Sequence, residues 1–348
     1  MRGAIAKAVA AAAALGVLAA GTLAAADYQE RLGAKRRERA AAEALQESIS
    51  ADAYGLQELQ GGGRAAYRNE VKERAAEKAA AEAAEAEARA AAERAEAEAR
   101  AAAEAAAEAE ARAAAEAAAE AEARAAEAAA ICALPAGTVV DDSRIDFDNL
   151  PQYFPVSAIN EGDAVYGRII GKSYVDNPDI ALSSLRYIKT LHRNFAGQTQ
   201  VGEIIVNEAI AADVADIFLV LYESGYQINS MFLIDDFWTG DGLTSDVNSI
   251  AHDNTSGFCY RRASAGDNLS NHAFGLSIDL NPLENPFVYV TEEGSYAAYP
   301  ESEAYVADRE LAHCITHSDL AYQVFAAHGF TWGGDWPSHK DYQHFDKI

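Results

Sequence analysis

Over a long central stretch, the sequence lacks every residue type from which a hydrophobic core is built. Between Lys72 and Ala130 it contains only Ala, Glu, Arg and Lys, with no aromatic residue, no Gly, no Pro and no apolar side chain larger than a methyl group. Because a core requires larger apolar side chains, this segment cannot form a globular domain of its own.

Basic residues are also scarce. The 348 residues include 28 Lys and Arg against 54 Asp and Glu, a formal net charge of −26. Residues 131–348 carry 31 of the acidic residues and 11 of the basic ones. A nucleic acid or an anionic lipid surface would require a basic footprint, so we expect neither as a partner of this part. It also contains all three Trp and most other aromatic residues, which predicts one globular domain of roughly 200 residues.

The N-terminal residues have the pattern of an export segment. Arg2 and Lys7 give a positive start, residues 8–26 are uncharged and small or apolar, and the run ends in three Ala. This pattern predicts a signal peptide over residues 1–26. A run of about 19 residues can also span a bilayer, so a membrane tether through residues 8–26 is the alternative. Both predict an extracytoplasmic location, secreted or anchored at the cell envelope, whereas an Ala-rich cytoplasmic helix is the competing interpretation.

Residues 27–71 are interpreted as a partly helical linker with a hinge at the three Gly of 61–63, and residues 72–130 as a helical stalk. The stalk contains the sequence AAAEAAAEAEAR twice, at 101–112 and 113–124. Ala is the best helix former, and Glu placed four residues before Arg adds ion pairs. The 59 residues would extend about 90 Å as a helix. Without Leu or Ile at a and d positions a tight coiled coil is not expected. A semi-rigid spacer and a low-complexity segment of no selected length are both open.

Residues 131–348, with a core over about 184–348, mix helical and strand patterns. Asn207–Ser224 has apolar residues at helical spacing before Gly225, and Asp319–His328 lies between a capping residue and Gly329, so both predict helices. The predicted strands are Tyr226–Phe237, Gly275–Leu280, Phe330–Trp332 and His344–Ile348. Because the order shows no regular β-α-β alternation, the predicted class is α+β.

The three Cys are an odd number. In an exported domain, Cys259 and Cys314 are the predicted disulfide pair, and buried free thiols are the alternative.

Two histidine motifs point to metal chemistry. His272 precedes Asp279 by seven residues, and Gly275 between them would let the backbone turn so that both side chains converge. Asp341 precedes His344 by three residues near the C-terminus. Two imidazoles and one carboxylate, His272, His344 and Asp279, make a three-ligand zinc site with a fourth position for water. Zinc lowers the pKa of such a water to about 7, and Asp341 would act as its general base.

The residues around both motifs resemble the zinc-dependent D-Ala-D-Ala carboxypeptidase and L-alanyl-D-glutamate endopeptidase family of cell-wall peptidases. The stretches Asn254–Asp279 and Gly329–Phe345 carry the family pattern S-x-H-x-x-G-x-A-x-D followed by a carboxylate-x-x-H. Ser277 departs from the small Ala of the pattern. The resemblance extends weakly back to about Ser184. It implies a hedgehog/DD-peptidase fold, Zn²⁺ as cofactor and the site residues His272, Asp279, His344 and Asp341.

Further site residues follow from the resemblance. Arg261 stands where the family has an arginine near the zinc, and there it would polarise the scissile carbonyl and stabilise the oxyanion. Arg262 is the competing candidate, and a surface salt bridge is the alternative for either. Ser270 is expected in a turn or in a hydrogen bond beside a ligand, and Trp332 and Trp336 as walls of the peptide cleft or as core.

The remaining histidines are expected to be surface or packed residues. His313 and His317 have the i, i+4 spacing of a ligand pair but lack the glutamate of an H-E-x-x-H motif, so a second metal site is disfavoured.

The leading functional hypothesis is an exported zinc peptidase that cuts the peptidoglycan stem peptide. Carboxypeptidase and endopeptidase action both remain open, and Asp341 in place of a glutamate favours the L-Ala-D-Glu bond. One alternative is an inactive cell-wall-binding protein on a helical stalk. Another is a stalk or adhesion protein in which the Ala-Glu segment is the functional part.

Overall fold

A computed structural model describes residues 63–263, 268–292 and 294–348, together with residues 33, 35–37, 39, 43 and 46. The predicted export segment 1–26 and most of the linker 27–71 lie outside the described residues. Within the part of the chain that is described, no helix is both long and apolar enough to cross a membrane. The chain divides into two compact units, residues 1–110 and 111–348.

The first unit contains most of a long helix that runs over Gly63–Cys132. The side chains of this helix within the first unit are largely exposed. Some form ion pairs at i, i+4 spacing, among them Arg74–Glu70 at 2.8 Å and Arg89–Glu93 at 3.1 Å. Exposed pairs of this kind contribute at most a few tenths of a kcal/mol each, so Ala propensity is the main local source of helicity. The predicted long Ala/Glu-rich helix is confirmed.

In the second unit, the last turns of this helix join the hydrophobic core. Ala128 and Ile131 are 1% and 0% exposed, and the exposed Glu127 binds Arg144 at 2.7 Å. The helix ends at Cys132, three residues before Pro135.

The second unit combines short helices with small sheets. Its helices after Cys132 are Ala164–Ile169, Glu208–Glu223, Gly242–Ala251, Glu303–Ala307 and Leu320–Ala327. Its strands are β1 (Val156–Ala158), β2 (Leu185–Arg193), β3 (Thr199–Asn207), β4 (Ser230–Met231), β5 (Asn254–Thr255), β6 (Ser277–Asp279), β7 (Phe287–Thr291), β8 (Gly294–Ala297), β9 (Thr331–Trp332), β10 (His339–Asp341) and β11 (His344–Asp346). The predicted α+β class is confirmed.

Three antiparallel sheets have the orders β1-β2-β3, β10-β7-β8 and β6-β11-β9, and β4 pairs with β5 in parallel. The helix Glu208–Glu223 fills the centre of the unit. Asn207 caps its first turn by accepting a hydrogen bond from the Ala209 amide, and Gly225 follows its end at φ +72°. Its apolar face includes Val214, Ile217 and Phe218, all at most 1% exposed. The helix predicted from the apolar spacing and the glycine stop is therefore confirmed.

Aromatic packing fixes the C-terminal strand against this core. Phe325, on the predicted and confirmed helix Leu320–Ala327, stacks on Phe345 of β11 with ring centroids 4.1 Å apart and contacts Phe218 edge to face. Burying three phenyl rings together stabilises the unit and holds β11 in place. Phe345 follows His344 directly, so this packing also positions a predicted metal ligand.

The strand predicted over Tyr226–Phe237 is wrong in most of its length. Only Ser230–Met231 forms a strand, and Ile234–Phe237 is a 3₁₀ turn. The Asn254 side-chain amide accepts from the Phe232 amide at 2.8 Å and donates to the Phe232 carbonyl at 3.0 Å. A side chain thereby satisfies backbone groups that a neighbouring strand would have bound, and the ladder ends there. The shorter strands predicted near Gly275, Phe330 and His344 are confirmed as β6, β9 and β11.

All three Cys are free thiols, so the predicted Cys259–Cys314 disulfide is wrong and the free-thiol alternative holds. Cys259 and Cys314 are both buried, and burial raises the pKa of each thiol.

Candidate metal centre and active site

The register of β6 against β11 brings a carboxylate and an imidazole together. His344 lies directly opposite Asp279, and Asp346 lies opposite Ser277. Directly opposed residues, and residues two apart on one strand, point to the same face of a sheet. Asp279, Ser277, His344 and Asp346 therefore share one buried face.

His272 reaches this face from a separate turn. The 3₁₀ turn Asn271–Phe274 begins at Ser270 and ends at Gly275, which has φ +66°. A Cβ at Gly275 would lie 2.7 Å from the Asn207 amide nitrogen, so both the left-handed backbone and the close approach to β3 require glycine. The predicted turn between His272 and Asp279 is confirmed.

The three predicted ligand residues form a buried cluster. His344 Nδ1 lies 2.9 Å from Asp279 Oδ1, His272 Nε2 lies 3.3 Å from His344 Nδ1, and His272 Nε2 lies 3.3 Å from Asp279 Oδ2. One ligand atom of each residue lies within 4.8 Å of the other two, so the cluster can hold a metal ion. Two imidazole nitrogens and a carboxylate oxygen are the donor set typical of a catalytic zinc site.

The ring nitrogens that face away from the cluster support the same interpretation. His272 Nδ1 lies 2.6 Å from the Gly257 carbonyl, and His344 Nε2 lies 2.9 Å from Asp346 Oδ1, an oxygen that also accepts from the Ser277 hydroxyl. An acceptor at the outer nitrogen of each ring places the proton there and leaves the inner nitrogen as a bare donor atom for a metal. The residues present therefore fit a divalent cation.

The charged groups of the cluster shift one another's pKa values. Burial alone would raise the pKa of Asp279, but His272 and His344 hold it below its usual range. Burial alone would likewise lower the pKa of His344, but hydrogen bonds to Asp279 and Asp346 raise it. The raised pKa favours a second proton, on the inner nitrogen Nδ1 of His344, so a metal ion and this proton compete for the same atom.

Asp341 lies at the end of β10, beside the cluster. A Cβ built on Gly333 would be 2.9 Å from Asp341 Cβ and 3.2 Å from His344 Cβ. The Asp341 and His344 side chains therefore both begin next to Gly333. Burial raises the pKa of Asp341 to about 7, with His344 opposing the shift and Asp279 adding to it. Asp341 Oδ1 is buried and has no hydrogen-bond partner among the described residues.

The structure separates the two arginine candidates. The Arg261 side chain is buried and forms an ion pair with Asp246 at 2.7 Å. Its Nε has no partner within the described ranges. The negative charge of Asp279 helps to raise the pKa of Arg261. Arg262 is exposed, and its backbone forms a bridge to Leu269. Arg261 is thus the residue that faces the interior near the cluster.

The other predicted site residues lie around the cluster at different depths. Ser270 caps the His272 turn by accepting from the His272 amide at 3.3 Å. Trp336 is half-buried, and its ring centroid lies 5.3 Å from that of His344. Trp332 is buried in the core, where its Nε1 donates to the Tyr342 carbonyl at 2.8 Å. Of these two Trp residues, Trp336 is the one whose ring lies beside the cluster and is partly exposed to solvent.

The histidines expected to be packed or at the surface take no part in this cluster. His313 stacks on Phe195 with centroids 3.8 Å apart, and His317 binds Asp335 at 2.8 Å. Across the described residues, the His272, Asp279 and His344 group is the metal-binding candidate found.

Sequence reasoning missed three residues around the site. Asp346 supports His344, and Asp246 holds Arg261 from the helix Gly242–Ala251. Burial and the negative charges of Asp246 and Asp279 raise the pKa of Tyr299 to about 12, so this phenol stays protonated and can donate a hydrogen bond. The alternation His344-x-Asp346 gave a signal for the first, because both side chains share one strand face. Nothing local indicated the other two.

Residues 263–347 match a family model described as D-alanyl-D-alanine carboxypeptidase. This match confirms the predicted family resemblance. The matched range includes His272, Asp279, Asp341 and His344, whereas Arg261 lies just before its first residue. A search of curated proteins and a search of solved structures found no match. The family match supports a peptidase.

Proposed function

We propose that the chain is an extracytoplasmic zinc peptidase that hydrolyses a peptide bond in the stem peptide of the bacterial cell wall. The observation that carries this proposal is the buried His272, Asp279 and His344 cluster, in which bare donor atoms converge and the outer nitrogens are bound. The carboxypeptidase match supports the peptidase class and a cell-wall peptide as substrate. The export pattern of residues 1–26 supports the location.

His272, Asp279 and His344 would hold a zinc ion, which would supply Lewis-acid chemistry by lowering the pKa of a water to about 7 and polarising a carbonyl oxygen. Asp341 takes the proton of the attacking water and returns it to the leaving amine. Two features suit Asp341 to this role: its place beside His344, and its buried Oδ1, which has no hydrogen-bond partner among the described residues.

Arg261 stabilises the negative charge that develops on the carbonyl oxygen as water adds. The ion pair with Asp246 fixes the guanidinium in a buried position, so little reorganisation is needed during the reaction. The unpartnered Nε leaves a donor available. Asp246 acts through Arg261 and is a positioning residue.

Two bonds in the stem peptide are candidate targets, the L-Ala-D-Glu bond and the bond before a terminal D-Ala. Asp341, in place of the glutamate usual among dipeptidase relatives, favours the first. Gly333 is buried, and a Cβ there would lie 2.5 Å from the Asp341 carbonyl oxygen, so this close packing holds Asp341 beside the cluster.

The zinc content of purified full-length protein tests the ligand set. Wild type is expected to bind one zinc per chain and His344→Ala to bind none. His328→Ala is the matched control, because His328 also bonds a carboxylate, Asp216, at 2.9 Å but lies outside the cluster. With folding checked by circular dichroism, stoichiometric zinc in His344→Ala, or none in wild type, would show the assignment to be mistaken.

A further inference from the structure

The sheet β10-β7-β8 gathers aromatic residues on the face that carries Asp341. Asp341 pairs with Phe287, His339 pairs with Tyr289, and Tyr289 pairs with Tyr296. Because directly opposed residues share a face, and so do residues two apart along a strand, all five side chains lie on one side of this sheet. The register therefore connects the proposed catalytic base with an aromatic surface.

The rings on this side form an unbroken series of contacts that begins at a metal-ligand candidate. Trp336 lies 5.3 Å from His344 and 5.1 Å from His339 between ring centroids. His339 stacks on Phe287 at 5.0 Å, Phe287 contacts Tyr289 at 5.0 Å, and Tyr289 stacks on Tyr296 at 5.1 Å. We call the surface formed by Trp336, His339, Phe287, Tyr289 and Tyr296 the aromatic face.

The outer end of the aromatic face is open to solvent. Tyr289 is 46% exposed and Tyr296 is 48% exposed, although the two rings stack in parallel within 26°. Single exposed aromatic residues are common, but contiguous exposed apolar surface on a monomer marks a binding site. Its continuity with the proposed active site indicates that its ligand is another part of the same substrate.

The chemistry of the aromatic face favours an uncharged sugar. Its members are phenyl, phenol, indole and imidazole groups, and the surrounding domain is strongly acidic, with 31 acidic against 11 basic residues over 131–348. One side of a pyranose ring presents C–H groups of partial positive charge, which are attracted to the negative face of an aromatic ring. The hydroxyls at the edge of a sugar can form hydrogen bonds with the tyrosine hydroxyls, whereas an apolar peptide side chain cannot.

We propose that the aromatic face binds the amino-sugar rings of the glycan to which the stem peptide is attached, with Tyr289 and Tyr296 as the stacking residues. This inference rests on the proposed function, because that function places a stem peptide at Asp341 and the metal cluster. The stem peptide is covalently attached to its glycan, and the aromatic face extends from the metal cluster toward Tyr296. A peptide bound at the cluster could therefore place its glycan on this face. The enzyme therefore recognises glycan-linked peptide in preference to free peptide.

Two substrates with the same scissile bond test the proposal: the free stem peptide and the same peptide on its disaccharide. In the full-length double variant Tyr289→Ala/Tyr296→Ala, KM for the disaccharide-linked peptide is expected to rise roughly 5–50-fold, from two stacking contacts, while kcat and KM for the free peptide stay unchanged. Val290→Ala is the matched control, because Val290 is 47% exposed on β7 but lies on the opposite face from Tyr289. Tyr289→Trp should preserve the preference.

Equal loss on both substrates would assign the aromatic face to the peptide, and no loss on either would show that it binds no substrate part. Both results overturn the proposal. Calorimetric titration with peptide-free glycan oligosaccharide tests it even if no bond is cut. Binding by wild type and Val290→Ala, with loss in the double variant, supports a glycan site. Absence of binding, or equal binding by the double variant, overturns it.

Discussion

Removal of the Asp346 carboxylate should weaken metal binding while leaving all three ligand residues in place. Asp346 is buried on β11 and accepts from His344 Nε2 at 2.9 Å. This bond makes Nδ1 of His344 more basic and orients the ring toward Asp279. Loss of such an outer partner typically lowers metal affinity 10–100-fold, or about 1.4–2.8 kcal/mol. Asp346→Ala should therefore raise the zinc dissociation constant by that factor.

The assay is competition for zinc against a chromophoric chelator, with Asp216→Ala as the matched control. Asp216 accepts a bond of the same 2.9 Å length from His328, outside the cluster. Because Asp346 also helps raise the pKa of His344, its removal reduces proton competition and partly offsets the loss near pH 7. At higher pH proton competition weakens, so this offset shrinks and the measured loss should approach its full size. Wild-type affinity for Asp346→Ala at the higher pH would refute the reasoning, as would an equal loss in Asp216→Ala.

Three further outcomes follow from the structure. Asp341→Asn should keep zinc but slow stem-peptide hydrolysis by roughly 10²–10⁴-fold, and wild-type rates in the zinc-loaded variant would remove Asp341 from the mechanism. Burial and the charge of Asp253 raise the pKa of Glu284 to about 8, above an unfolded value of about 4.3. The folded state thus keeps a proton that the unfolded state loses, and stability falls as pH rises between these values. Glu284→Gln should reduce this fall in the free energy of unfolding, measured by urea unfolding at several pH values. A pH dependence equal to that of wild type would contradict the prediction. Gly275→Ala should destabilise by more than the about 1–2 kcal/mol of left-handed backbone alone, whereas Gly171→Ala, at φ +75° with nothing within 4 Å of its Cβ, should show only the backbone cost. Equal losses of stability for Gly275→Ala and Gly171→Ala in thermal unfolding would show that the close approach of Gly275 to β3 adds no further cost.

The sequence predicted helices well where local and tertiary preferences agree. Glu208–Glu223 has an apolar stripe, a capping Asn207 and a following Gly225, and each of these acts within a few residues. The apolar stretch Tyr226–Phe237 has no such constraint. The Asn254 side chain binds the backbone of Phe232, 22 residues earlier in the chain, and no local pattern reveals this contact.

In the candidate site, too, residues within local motifs could be predicted and residues that depend on distant packing could not. His272, Asp279 and His344 were predictable because motif spacing and family resemblance both point to them. Asp246 was not, because its role depends on a helix packing beside Arg261. The aromatic face depends on the cross-strand register of β7 with β8 and β10, which alternation along one strand does not determine.

The most direct test of the account is mass spectrometry of stem peptides incubated with the full-length protein, with and without a chelator, beside casein as a general protein substrate. We expect one specific cut in the stem peptide, loss of that cut with chelator, recovery when zinc is restored, and little release from casein. Cleavage that persists in chelator, no cleavage by the zinc-loaded protein, or casein hydrolysis at a matching rate would contradict it.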